Sequence, residues 1–63
     1  GDVSFLDILA VAQQRDEICL GIRIDALAKN PEKNFGVILN PRKNKHFTLK
    51  KNDCLVVLAE DER

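Results

Sequence analysis

The sequence predicts a small α+β domain in which one N-terminal helix packs on a mostly antiparallel β-sheet of three or four strands. Three patterns predict this class. An early segment has apolar residues at helical spacing, a second alternates apolar and polar residues with period two, and a third, residues 54–59, is a run of six apolar residues. A chain of 63 residues has the length of one domain, so residues 1–63 are treated as a single unit.

The early segment opens with a capping-box motif, in which Ser4 precedes Asp7 by three residues. The hydroxyl of Ser4 can accept a hydrogen bond from the third helical amide, while the Asp7 carboxylate can accept one from the amide of Ser4. Apolar residues then recur at helical spacing and form one stripe, which consists of Phe5, Ile8, Leu9 and Ala12. We predict a helix over residues 4–14 that covers one face of the sheet.

The second segment predicts a strand with one buried face. The apolar set is Ile18, Leu20, Ile22 and Ile24, and it alternates with Cys19, Gly21, Arg23 and Asp25. We expect the apolar set to face the core. Gly21 indicates either a bulge or twist point, which is the simpler interpretation, or a place where another group approaches the backbone closely. Arg23 and Asp25 lie on the outer side, where they form a solvated face or contact a ligand or second subunit.

Two shorter stretches are also predicted to be extended. Residues 35–39 alternate, with Phe35, Val37 and Leu39 on one face, and the strand ends at Asn40-Pro41 because proline has no amide to donate. Residues 46–49 form a short segment with Phe47 and Leu49 pointing inward.

The apolar run 54–59 predicts a strand buried on both faces, around which the rest of the chain packs. A tight turn over residues 50–53 precedes it, with Asn52 in a left-handed conformation, and a charged, frayed end follows at residues 60–63. One helix can cover only one face of the sheet, so the other face needs a partner. We therefore predict a homodimer, with an interface that contains Ile22, Leu55 and Val57.

Charge is unevenly distributed although the formal net charge is zero. Residues 29–51 contain seven lysines and arginines and one acid, Glu32. This basic middle could attract an anionic ligand such as a nucleotide or phosphate, although lysines in turns are also ordinary solvated surface. We take Arg23, Asn40 and Arg42 as the candidate ligand-binding residues.

The residues that catalysis or metal binding would need are not arranged for either. The only histidine, His46, lies among lysines, the two cysteines fall at strand positions, and the three glycines are isolated. We therefore predict neither an enzyme nor a metal site. With aromatic residues at 5% and neither tyrosine nor tryptophan, a stacking platform for single-stranded nucleic acid is missing. A nucleic-acid partner, bound through Lys43, Lys45, Lys50 and Lys51, is accordingly the least favoured alternative.

The sequence contains no methionine and no apolar stretch near 18 residues. We therefore expect a cytosolic domain that is part of a larger protein, with reduced thiols. The residues before Ser4 are expected to be linker.

Residues 49–58 resemble the closing motif of RCK C-terminal domains, also called TrkA-C domains. That motif has a leucine, two variable residues, glycine-aspartate and then an apolar strand. Asp53 stands at the position of the aspartate, and Asn52 replaces the glycine.

More of the chain is similar to the Castor/Pollux-type cation channels. The matching segments are Ser4-Phe5, residues 20–23, residues 34–37, Asn40-Pro41 and residues 57–61. Their order and spacing cover nearly the whole chain, and they make the resemblance more specific than any one segment does.

The resemblance implies a regulatory domain on the cytoplasmic side of the cell membrane, attached to a potassium or other cation channel or transporter. Its partners would be a second copy, a transmembrane pore domain and the N-terminal half of the RCK domain. The effector would be cyclic di-AMP, a nucleotide, calcium or potassium. The alternative is a stand-alone protein-interaction adaptor that uses an exposed sheet face.

Overall fold

The computed structural model describes residues 2–59, and the predicted α+β class is confirmed. One N-terminal helix packs on antiparallel strands. The elements are β1 (Asp2–Ser4), α1 (Phe5–Gln14), β2 (Glu17–Arg23), β3 (Val37–Leu39), β4 (His46–Thr48) and β5 (Cys54–Ala59), with short 3₁₀ segments at Asp25–Leu27 and Pro31–Gly36. The frayed end predicted at residues 60–63 lies outside the described residues. No helix within residues 2–59 is long and apolar enough to cross a bilayer.

The capping box fixes the start of α1, as predicted. The amide of Asp7 donates to the Ser4 hydroxyl at 3.2 Å, and the amide of Ser4 donates to the Asp7 carboxylate at 3.1 Å. The helix begins at Phe5 and ends at Gln14. Its buried residues are Phe5, Ile8 and Ala12, which are three of the four predicted stripe residues. The local signals in this segment were therefore sufficient to place the helix and its inner face.

The strands form two sheets, where the sequence predicted one. The larger sheet has the order β3-β2-β5, and the smaller one pairs β1 with β4. All pairs are antiparallel. β1 comprises Asp2–Ser4, and the prediction of linker before Ser4 was therefore wrong for Asp2 and Val3. Val3 pairs with Phe47, and Phe47 is buried in the core, as predicted.

A bulge in β2 overturns the predicted facing of this strand. The pairing with β5 shifts register between Cys19 and Gly21, so an extra residue enters β2 and the alternation changes phase. Cys19 and Ile22 consequently both face the helix, while Ile18 and Leu20 are exposed. The simpler interpretation of Gly21, a bulge, is confirmed.

Gly21 also permits the close backbone approach that the sequence suggested as its other role. A Cβ atom at this position would overlap the carbonyl oxygen of Ile38 and lie 2.9 Å from the Cα of Leu39. Gly21 pairs with Leu39 on one side and Val56 on the other. The strands on both sides of β2 therefore pair with a residue that has no side chain.

β5 is an edge strand and not the buried centre that the sequence predicted. In the order β3-β2-β5 the central strand is β2. Cys54 and Leu58 are exposed, whereas Leu55 and Val57 are half-buried and pack against the core. The prediction that both faces of this strand are buried was therefore wrong within residues 2–59, where only the face toward α1 is covered.

β3 begins later than predicted. Asn34, Phe35 and Gly36 have φ values of 54°, 55° and 81°, which lie outside the range of regular β-strand. Phe35 is therefore exposed on a connecting turn, Val37 and Leu39 share one face as predicted, and Ile38 on the other face packs against the core. A backbone bond from the amide of Ile24 to the carbonyl of Gly36, at 2.8 Å, holds this turn on the end of β2.

The turn at residues 50–53 is present, but Asn52 does not have the predicted left-handed conformation. Within residues 2–59, positive φ occurs at Asp16, Asn34, Phe35, Gly36 and Asn40. The turn closes instead through the amide of Asp53, which donates to the carbonyl of Lys50 at 3.0 Å.

The close approach at Gly21 predicts that Gly21→Ala destabilises the fold. Overpacking against the Ile38 carbonyl should lower the free energy of unfolding by about 1–3 kcal/mol, measured by urea denaturation at low protein concentration. Leu20→Ala, at the exposed neighbouring position, is the control and should change it by only about 0.5 kcal/mol. Equal effects of the two substitutions would contradict the strand geometry at Gly21.

Candidate functional site

The two faces of the three-stranded sheet have different environments. Residues paired across neighbouring strands point to the same face. The face toward α1 contributes to the core; its members are Cys19, Ile22, Ile38, Leu55 and Val57, packed with Phe5, Ile8, Ala12 and Phe47. The opposite face, which we call the outer sheet face, carries Ile18, Leu20, Leu39, Val56 and Leu58 around Gly21.

The outer sheet face is apolar and open to solvent. Ile18 is 63% exposed, and Leu39 and Leu58 are each 59% exposed. Ile18 pairs with Leu58, and Leu39 lies next to Gly21 on the other edge. Single exposed leucines are ordinary on protein surfaces, but these belong to three adjacent strands and form one patch, which is typical of an interaction site.

Charged residues mark the two ends of this face. Arg23, the last residue of β2, is exposed and pairs with Val37 and Cys54. The turn that precedes β2 contributes Asp16, which is exposed, whereas Glu17, the first residue of β2, alternates with Ile18 and so lies on the side of Cys19 and α1. We call the turn at Asp16 the acidic turn.

The predicted dimer residues lie mainly on the wrong side of the sheet for a partner to reach. Ile22 is 0% exposed and belongs to the core of the single chain, so it offers no surface. Leu55 and Val57 are half-buried and point toward α1. Their neighbours Val56 and Leu58 are the β5 residues on the outer sheet face. Alternation along β5 separates these two pairs of residues, but the register with the bulged β2 decides which pair faces the core.

The three predicted ligand residues are not brought together. Arg23 pairs with Val37 at the start of β3, whereas Asn40 follows the end of β3 and its amide donates to the Leu20 carbonyl at 2.7 Å. Three residues along a strand separate positions 37 and 40, which is about 10 Å. Arg42 lies further along the same loop. Arg23 and the Asn40–Arg42 segment are thus separate surface features.

Backbone carbonyls of the basic loop, residues 42–45, cap the N-terminus of α1. The amide of Phe5 donates to the Lys45 carbonyl at 2.8 Å, and the amide of Leu6 donates to the Lys43 carbonyl at 2.9 Å. The next amide, that of Asp7, is taken by Ser4. A phosphate group would need these amides free. The loop therefore serves as a backbone cap, with its lysine side chains in solvent.

Asp53 joins two parts of the chain that are distant in sequence. Its Oδ1 accepts a hydrogen bond from the Asp25 amide at 2.8 Å, and its Oδ2 accepts one from the Lys50 amide, also at 2.8 Å. The bond from Asp25, followed by that from Lys50, holds the pKa of Asp53 below its ordinary value of 3.8, because both favour the ionised carboxylate. This carboxylate fastens the end of β2 to the turn before β5.

Two open grooves border the Asp53 turn. One, of about 380 Å³, has an apolar floor that includes Ile8, Val11 and Leu55. The other, of about 530 Å³, runs between the 3₁₀ segment 25–27 and residues 50–53. The first is also lined by Asp7, Arg15, Lys50 and Asp53, and the second by Asp25, Lys50, Lys51 and Asp53. Across residues 2–59, histidine, cysteine and acidic side chains do not form a group of three that could hold a metal ion.

The remaining reactive side chains stand apart. Cys19 is a free, buried thiol, and Cys54 is a free thiol exposed on β5. His46 Nδ1 contacts Asp2 Oδ2 at 2.9 Å, and both side chains are mostly exposed. This contact connects β1 and β4 at the surface, where polar contacts of this kind contribute little to stability.

The role of Asp53 predicts a pH-dependent effect of Asp53→Asn. The lowered pKa means that the ionised carboxylate stabilises the fold above pH 3.8, and that this stabilisation is lost as the pH falls through the folded-state pKa. The variant should unfold at a lower temperature than wild type at pH 7, and the difference should narrow below about pH 4.

Asp25→Asn is the matched control, because it removes a carboxylate but keeps the amide that Asp53 binds. Thermal unfolding followed by circular dichroism from pH 7 to pH 2.5 measures the difference. A constant difference between wild type and Asp53→Asn over this range would contradict the role assigned to the carboxylate.

Comparison with known proteins found no relative of this chain. No protein-family model matches the chain. Neither a curated protein nor a solved structure matches it significantly.

Proposed function

We propose that this chain is a dimerising regulatory domain of a potassium or other cation channel or transporter, with the outer sheet face as its dimer surface. The proposed dimerisation rests on one observation, the apolar patch that extends over three strands. The regulatory half is supported by the resemblance of residues 49–58 and of the earlier segments to RCK C-terminal domains.

The size of the outer sheet face indicates a weak dimer. The seven residues of β2, the six of β5 and the three of β3 span at most roughly 14 Å by 20 Å, which is below the surface of about 800 Å² per partner in a standard interface. Burying four half-exposed leucine or isoleucine side chains on each copy provides about 1 kcal/mol apiece, or about 8 kcal/mol in total. Loss of translational and rotational freedom costs about 4–15 kcal/mol. Association therefore depends on concentration and on tethering.

A weak interface suits a regulatory domain. In a larger protein, attachment to the N-terminal half of the domain and to a pore would hold two copies close together and raise their effective concentration. An effector can then shift the equilibrium between paired and separated copies with a modest difference in affinity. In this proposal the chain is a regulatory, non-catalytic part on the cytoplasmic side of the cell membrane, as the resemblance to RCK C-terminal domains implies.

Asp53 provides the connection between the motif and the fold. It stands at the aspartate position of the RCK C-terminal motif, and its carboxylate fastens the end of β2 to the start of β5. Those two strands supply most of the outer sheet face. The motif residue thus positions the strands on which the proposed dimer depends.

The stand-alone adaptor is the second candidate, because the same apolar face would also accept a different protein. The adaptor would leave the isolated chain monomeric, since its surface would fit a partner of another shape. The self-association of the purified chain therefore distinguishes the two.

The dimer proposal predicts that Leu58→Lys makes the chain monomeric. A buried lysine at this position would place an unpaired charge in the interface, which is strongly unfavourable. Sedimentation equilibrium from 10 µM to about 1 mM, concentrations chosen for weak association, should show a monomer–dimer equilibrium for wild type and monomer alone for Leu58→Lys.

Leu6→Lys is the matched control. Leu6 is 56% exposed, close to the 59% of Leu58, but it lies on α1. This control should dimerise like wild type. A wild-type chain that stays monomeric at the highest concentration would refute the dimer and favour the adaptor, while equal effects of the two substitutions would refute this face.

The regulatory proposal predicts that one effector raises the unfolding temperature. A ligand that binds only the folded state stabilises it by about 2.7 kcal/mol at a concentration 100 times its dissociation constant. Cyclic di-AMP, ATP, calcium and potassium should be compared by thermal shift at protein concentrations that favour the dimer. Arg23→Ala and Arg42→Ala then test the two separate basic surfaces, and no shift with any effector would count against ligand sensing by this chain.

A further inference from the structure

The charges at the ends of the outer sheet face differ in sign. The acidic turn precedes β2, and Arg23 ends it. These positions are seven residues apart, which is about 20 Å along a strand. Arg15 adjoins the acidic turn in sequence, but it lines the groove beside Ile8 and Val11, on the helix side of the sheet. The face therefore has an acidic end and a basic end.

The neighbouring charges preserve this difference. Next to Arg23, the turn before β5 contributes Lys50 and Lys51, both exposed. The Asp53 carboxylate, which accepts hydrogen bonds from two backbone amides, and the exposed Asp25 add two negative charges. Lys50 and Lys51 balance these two carboxylates, so Arg23 leaves this end with one net positive charge.

A twofold axis allows two extreme arrangements when one outer sheet face packs on another. With the axis along the strands, the two copies of β2 run parallel, and Arg23 faces the partner's Arg23. With the axis across the strands, they run antiparallel, and Arg23 faces the partner's acidic turn. The second arrangement forms the same favourable pair twice, because contacts across a twofold axis are reciprocal.

We propose that two copies of this chain pack through their outer sheet faces with the β2 strands antiparallel, so that Arg23 lies against the partner's Asp16. This rests on the proposed dimer and adds its orientation. The apolar patch supplies the attraction, and the charges select between the two arrangements. Like charges facing each other across an interface are the standard means by which wrong alignments are suppressed.

Three variants test the orientation: R23E, D16R and the double variant R23E/D16R. Both positions are exposed, so each variant should fold, which circular dichroism verifies. By sedimentation equilibrium in 50 mM salt, each single variant should dimerise about tenfold more weakly than wild type, because each puts like charges together at two places. The double variant should regain wild-type affinity within about twofold, and 0.5 M salt should reduce all differences.

Mixing experiments separate the two orientations. In the antiparallel dimer, R23E mixed with D16R should associate more tightly than either variant alone, since both charge pairs are then favourable. The parallel dimer would favour that mixture as well, so R23E mixed with wild type separates the two orientations. In the antiparallel dimer this mixture should associate more weakly than wild type with itself, because one of its two charge pairs becomes repulsive. In the parallel dimer it should associate more tightly than wild type with itself, because the contact between the two residues at position 23 becomes attractive. The second result, or failure of the double variant to regain affinity, would overturn the proposal.

Lys45→Glu is the control for a general charge effect. Lys45 lies in the loop that caps α1, away from the outer sheet face, so its reversal should leave dimerisation unchanged. A failure of the underlying dimer is recognised separately, because Leu58→Lys would then have no effect either. If Leu58→Lys abolishes the dimer but the charge variants behave like wild type, only the orientation is wrong.

Discussion

The bulge in β2 is the constraint on which the rest of the structure depends. β2 is the only strand of the larger sheet with partners on both sides. The extra residue between Cys19 and Gly21 sends Cys19 and Ile22 into the core and leaves Ile18 and Leu20 outside. Without it, one side of β2 would hold the three large aliphatic residues Ile18, Leu20 and Ile22 against α1, and the other side would hold none. The bulge thus divides the apolar residues of β2 between the core and an exposed surface.

The parts of the fold that could be predicted from sequence are those with local causes. The capping box and apolar stripe located α1, Asn40-Pro41 located the end of β3, and Phe47 was correctly placed in the core. The bulge could not be predicted, because it arises from the register between β2 and β5, two segments far apart in the chain. The edge position of β5 has the same origin, since a run of six apolar residues is equally consistent with a central strand.

The sequence predicted an uncovered apolar face but not the residues that form it. The argument that one helix covers one face required an uncovered apolar face, and the structure has one. Ile22 was assigned to it because strict alternation was assumed; the phase change at the bulge moves this residue into the core. Arg23, Asn40 and Arg42 were grouped by their charge and polarity, but the register of β2 with β3 puts Arg23 and Asn40 at opposite ends of β3. Sequence proximity to a turn does not specify which end of a sheet a side chain reaches.

The position of Asp53 relates the fold to the proposed regulation. Its carboxylate holds the Asp25 amide, immediately after β2, against the Lys50 amide, before β5. Arg23 and Cys54, which lie inside these two anchor points, are cross-strand neighbours at the basic end of the outer sheet face. A displacement of the 50–53 turn would therefore move Cys54 and the charged residues of the turn relative to Arg23. The arrangement of charge at this end of the face would change with it. An effector bound in the groove between this turn and residues 25–27 would act on dimer orientation through the backbone alone, without contacting the apolar patch.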